Sequence, residues 1–143
     1  MSSADLHRRI APDANPIGWL AWHLLRVQDD HVAEVAGREQ VWTAAGWAER
    51  FGLPFGPEET GYGFDAEQVA ATRIPSPELL TGYAGAVHAQ SAEFLRGITD
   101  ADLDRVVDDR WDPPVTLWVR LVSVIGDDFQ HLGQIGYLRG LLP

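Results

Sequence analysis

The stretch Asn15-Pro16-Ile17-Gly18-Trp19-Leu20-Ala21-Trp22-His23-Leu24-Leu25-Arg26-Val27-Gln28-Asp29 decides the fold. Asn15 is able to cap a helix, and Pro16 suits its first position, where a missing N–H costs nothing. Ile17, Leu20, Leu24, Val27 and, further on, Val35 recur at the three- and four-residue intervals of one buried helical face. Gly37 is a natural terminator, so the spacing predicts a helix over 16–36.

Working outward, a shorter helical stretch runs from Val41 to Phe51, and Gly52, Pro54, Gly56, Pro57, Gly61 and Gly63 then make a long irregular connection. Asp65 with Gln68 three residues later reads as a capping box for a brief helix ending before Pro75. Ser76-Pro77 repeats the cap-then-proline pattern, and Leu80, Tyr83, Ala84, Val87, Ser91, Phe94 and Ile98 outline a second long helix ending near Gly97. Thr99 to Leu103 has room for one turn, and the two prolines of Asp112-Pro113-Pro114 forbid a helix from Val106 onward. Thr116 caps the last long helix, whose face carries Leu117, Leu121, Val124, His131, Ile135 and Leu138. No alternating strand pattern competes, and the expectation is one all-α domain over residues 1–143 with a long crossover. The segment before Asn15, with Leu6 and Ile10 among charges, is too short for a full bundle helix, so an opening helix is expected to be truncated or supplied by a partner.

The bulk properties exclude several classes. A chain of 143 residues with 45% apolar and 10% aromatic content can bury a core. It has no cysteine, so a metal would be held by nitrogen and oxygen. No run approaches the roughly 20 apolar residues of a membrane span and no leader opens the chain, which reads as cytoplasmic. With a net charge of −10 and scattered arginines, nucleic-acid binding is disfavoured. All 11 basic residues are arginine, the usage of a GC-rich genome.

Asp127 and His131, four apart on a helix, project from one face and are able to grip a single ion. That spacing is more often an ion pair or hydrogen bond between neighbouring turns. His23, on the shoulder of the first buried stripe one turn from Leu20 and Val27, supplies the third candidate ligand. Two imidazoles and one carboxylate suit zinc, nickel, iron or manganese and leave a coordination position open. Arg120, almost two turns before Asp127, is a candidate for binding an acidic substrate group. Gln130 and Gln134 flank His131 and could orient it, and Gln134 is also a candidate for substrate contact. Arg26 and Asp29 read as a local structural pair. His88 reads as a core histidine before a fourth ligand, and His7 and His31 have no spaced companion. The six tryptophans read as core and pocket wall, with Trp111 anchoring the proline loop.

The stretch over 15–29, together with W-A-E-R-F-G-L-P-F (47–55) and D-D-F-Q-H-L-G-Q-I-G-Y-L-R-G (127–140), resembles the DinB-like four-helix bundle family over almost the whole chain. This family includes mycothiol-dependent maleylpyruvate isomerase and bacillithiol S-transferases. The resemblance implies an up-down-down-up bundle with a long crossover, and a divalent metal, zinc or nickel foremost, on His23, Asp127 and His131. It also implies a homodimer, and a reaction between a small-molecule thiol, such as mycothiol, and an electrophile. A stress-response or binding module with a structural or vestigial metal is the alternative, and metal-dependent hydrolysis a further one.

Overall fold

The computed structural model describes residues 2–142. Three long helices dominate: α2 (Ile17–Ala36), α6 (Pro77–Gly97) and α7 (Leu117–Leu141), joined by the short helices α3 (Val41–Ala44), α4 (Trp47–Phe51) and α5 (Ala66–Ala71) and preceded by one turn, α1 (Ser3–Leu6). The all-α expectation holds, with three long helices and a single opening turn where the resemblance implied four. The chain from Val106 adds a small feature: β1 (Val106–Asp108) and β2 (Val115–Thr116) pair antiparallel, Val106 opposite Thr116 and Asp108 opposite Val115. Strands this short are below the length at which alternation can show.

The caps explain most boundaries. Ser76 Oγ accepts from the Leu79 amide, Thr116 Oγ1 from the Val119 amide, and Asp65 and Gln68 exchange the two bonds of a capping box. Asn15 is different. Pro16 itself takes the cap position of α2 with no side-chain hydrogen bond, so the helix starts one residue later than the Asn-Pro reading placed it. The stretch over 41–51 is two helices, because Gly46 adopts a left-handed conformation (φ 67°) that interrupts the turn.

α2 lies between the other two long helices and packs most extensively on α7. His23 meets His131 while His31 meets Arg120, so α2 and α7 run in opposite directions. Asp29 bonds Tyr83, and Arg38, just past the end of α2, pairs with Glu93, so α2 and α6 run the same way. A parallel pair cannot be joined by a tight turn, which accounts for the long crossover between them.

The core is aromatic: Trp22, Trp42, Trp47, Phe51 and Tyr83 pack with Leu20, Leu80 and Val87. Into it are set two charges. Arg26, fully buried, donates to the carbonyls of Glu59 (3.2 Å) and Pro57 (3.1 Å) and to Gln40 Oε1 (2.7 Å), and lies over the Trp42 ring. Asp29 accepts from the Val41 and Trp42 amides at 2.9 and 2.8 Å and from the Tyr83 hydroxyl at 2.8 Å. The Arg26–Asp29 pair is thus structural, as its spacing suggested, and it reaches further than expected: α2 pins the start of α3 and the crossover loop.

Only four of the six tryptophans are in the interior. Trp111 is 65% and Trp118 57% exposed, so neither serves core or loop anchor. His88 is also exposed rather than set in the core. On α7, Trp118 belongs to a stripe with Val122, Ile125, Phe129 and Leu132, all exposed, on the side of the helix away from buried Val124 and Leu138. Among the described residues no helix is long and apolar enough to cross a membrane.

Candidate metal centre

α2 brings His23, and α7 brings Asp127 and His131, to one point. One ligand atom of each lies within 4.8 Å of the others, and His131 Nε2 is 3.6 Å from Asp127 Oδ1. The imidazole rings of His23 and His131 stand 5.0 Å apart and nearly perpendicular, while Trp19, one turn before His23, lies flat against it at 4.7 Å. His23 is 6% exposed.

The outer nitrogens of both histidines are engaged. His23 Nδ1 is 2.6 Å from the Thr60 carbonyl, and His131 Nδ1 is 2.8 Å from Gln134 Oε1. Carbonyl oxygens can only accept, so each Nδ1 carries the proton and each Nε2 keeps a lone pair for the shared point. This is the support that metal-ligating histidines characteristically have. Burial lowers the His23 pKa, with the nearby His131 adding to the effect against the Thr60 bond, so the ring is held neutral as a ligand must be. Asp127 Oδ2 is buried with no hydrogen-bond partner among the described residues. A carboxylate with one buried, unpaired oxygen, grouped with two imidazoles that each keep a lone pair, is a donor set a divalent cation satisfies. The neighbouring Asp128 carboxyl is pushed up to about 6 by burial and by the charge of Asp127.

The Thr60 carbonyl reaches His23 because residue 61 is glycine. Its φ is +90°, and a Cβ there would stand 2.9 Å from the Trp22 ring and 3.0 Å from His23 Nδ1. Arg26, from inside, holds the same loop two and four residues earlier.

A cavity of about 470 Å³ opens beside the triad, lined in part by His23, Val27, His31, Tyr62, Val124 and Asp127. Arg120 and Gln134, the two candidates for substrate contact, do not line it. Arg120 is 13% exposed and donates to Asp108 Oδ2 (3.2 Å) and to His31 Nδ1 (3.3 Å). Gln130 bonds the Gly126 carbonyl of its own helix. Asp108, at the end of β1, is gripped by both Arg110 and Arg120, first by the Arg110 side chain, which holds its carboxyl well below the usual range. Sequence reasoning missed Thr60, Gly61, Asp108 and His31. Thr60 acts through its backbone and leaves no trace in side-chain spacing. Gly61 was visible only as one of many loop glycines.

A family profile described as the DinB superfamily matches residues 1–135. The chain belongs to the DinB superfamily. The crystal structure of a conserved protein of locus from Enterococcus faecalis superposes with a TM-score of 0.91 and 32% identity, covering 97% of this chain and 82% of that one. No curated protein matches the chain. In this DinB-superfamily chain the divalent-metal site implied by the family signature has a donor set that fits, on His23, Asp127 and His131.

Proposed function

We propose that this DinB-superfamily protein binds a divalent cation, zinc or nickel, on His23, Asp127 and His131, and transfers a low-molecular-weight thiol to a small electrophile in the adjoining cavity. The observation that carries the reading is the meeting of two histidines whose Nδ1 atoms are both engaged elsewhere with the Asp127 carboxylate, one oxygen of which is buried and unpaired, beside a cavity. Three protein ligands leave room for a fourth from the substrate, whereas a purely structural centre is closed by protein. A cation there supplies Lewis acidity, which lowers the pKa of a coordinated thiol so that thiolate is present at neutral pH.

The chain's own residues do the rest. Thr60 and Gln134 fix which nitrogen each histidine presents. Trp19 covers the outer face of His23, and Val27 and Val124 give the cavity an apolar wall against which an electrophile's carbon skeleton packs. Arg120 and Gln134 serve the site through the histidines they hold. A reducing cytoplasm supplies the thiol, and mycothiol is the co-substrate in a GC-rich organism that makes it.

The test is metal content of protein purified without added metal, followed by loss of a thiol in the presence of 1-chloro-2,4-dinitrobenzene. About one equivalent of metal, absent from a folded His131→Ala variant, and thiol consumption faster than with metal-free protein are expected. Absence of metal overturns the site. Metal without acceleration for mycothiol, bacillithiol, glutathione or cysteine overturns the transferase and leaves a non-catalytic metal-binding module.

A further inference from the structure

At the far end of the cavity from the triad stands His31, two turns after His23 on α2 and therefore about 12 Å further along the helix axis. Arg120 NH1 lies 3.3 Å from its Nδ1. A guanidinium has donors and no lone pair to give, so Nδ1 must accept, and the ring proton sits on Nε2. Asp30 Oδ2, at 3.9 Å from the same Nδ1, is beyond hydrogen-bonding distance, and the other oxygen of that carboxylate is engaged by Gln40 at 2.6 Å. Nε2 makes no hydrogen bond among the described residues, and the side chain is one of those lining the cavity.

Arg120 does not choose its own position. Asp108 Oδ2 holds it at 3.2 Å, and Asp108 is in turn clamped by Arg110 through both of its oxygens at 2.8 Å. The ribbon of β1 and β2 delivers this carboxylate, which gives the only strands among the described residues a purpose. The chain Arg110–Asp108–Arg120–His31 runs from the surface to the cavity and ends on a single N–H.

We infer that His31 is the electrophile-orienting residue of this site, its Nε2–H donating to a nitro or carbonyl oxygen of a small conjugated ligand whose reactive carbon faces the triad. The inference rests on the transfer reading above only for the direction in which the ligand points; the hydrogen bond itself needs neither metal nor turnover. The oxygen it takes is one that gains negative charge as a nucleophile adds to the conjugated carbon, and the Arg120 charge behind the ring favours that gain. Burial, and after it the same Arg120 charge, lower the His31 pKa and keep the ring in the neutral form that donates from one nitrogen.

The test uses nitrogen-15 spectra of the imidazoles in the intact protein, with 1,3-dinitrobenzene as an unreactive probe. His31 is expected to show a protonated Nε2 and an accepting Nδ1, and its ring resonances to shift as the probe is added. Binding is expected to weaken about 3- to 10-fold in His31→Phe, the scale of one hydrogen bond, and to be largely retained in His31→Gln, which keeps an N–H. Helical circular dichroism and metal content unchanged in both variants separate this from a folding or metal defect. A proton on Nδ1, no probe binding by the wild type, or equal binding by His31→Phe overturns the inference. Because the hydrogen bond needs no metal, metal-free protein is expected to bind the probe equally; probe binding through His31 together with no thiol consumption by the metal-loaded protein would sink the transfer reading alone.

Discussion

Gln134 contributes one amide oxygen, and its effect lies in what that oxygen forbids. By accepting from His131 Nδ1 at 2.8 Å it excludes the tautomer in which Nε2 would carry the proton and be useless as a ligand. Gln134→Ala is expected to reduce metal affinity about 10- to 100-fold with little change in melting temperature, the usual cost of losing a group that orients a ligating histidine. Competition with a chromogenic chelator measures it, and an unchanged affinity would show that the histidine orients itself. At this scale the meeting of His23, Asp127 and His131 was only partly legible: the four-residue spacing on its own reads as an ion pair, and it was the family resemblance that joined His23 to it. Their supports were only half legible. Gln134 stands three residues from His131 on the same helix, where neighbouring turns must meet, but Thr60 lies 37 residues from His23 and acts through a carbonyl that any residue would possess.

Among the elements, the crossover between α2 and α6 is held from within by α2. Arg26 caps the carbonyls of Pro57 and Glu59, and Asp29 caps the free amides that open α3. Removing one member of such a buried pair leaves an uncompensated charge: Arg26→Met and Asp29→Leu are each expected to destabilise the fold by about 3–5 kcal/mol, and the double variant by less than the sum. Urea titrations of the three proteins decide it; full additivity would mean that the two charges do not act as a unit. The long helices were readable from their apolar period and caps. Two features were not. The break at Gly46 requires knowing a backbone angle, and β1 and β2 are too short for alternation to show, while the contact they make possible, Asp108 to Arg120, spans 12 residues.

For the whole molecule, the decisive property is that α7 is apolar on two opposite sides. One side meets α2; the other exposes Trp118, Val122, Ile125, Phe129 and Leu132 at alternating steps of four and three, the seam spacing of paired helices. Continued by one step the seam reaches Gly136, whose missing side chain faces open space. Two copies of α7 laid antiparallel about their middle set the broad ring of Trp118 opposite Gly136, Val122 opposite Leu132 and Ile125 opposite Phe129. The stripe is thus complementary to itself, and it carries no charge, so a chain of net charge −10 meets its copy where repulsion is least. A dimer is the expected state by analytical ultracentrifugation at micromolar concentration, and Phe129→Glu is expected to yield a folded monomer. A wild type that sediments as a monomer would rule the pairing out. Homodimerisation entered the sequence reading from family resemblance. The face that would serve it was hidden there because helical period alone does not say which of two apolar sides looks inward.

The flat contact of Trp19 on His23 gives the protein a built-in optical gauge. An indole stacked at 4.7 Å on the His23 imidazole responds to the electronic state of that ring, so binding of a cation at the proposed centre is expected to change the ultraviolet emission of the unlabelled chain. The other five tryptophans supply the background, and replacing Trp19 with phenylalanine is expected to silence the gauge while leaving His23, Asp127 and His131 in place.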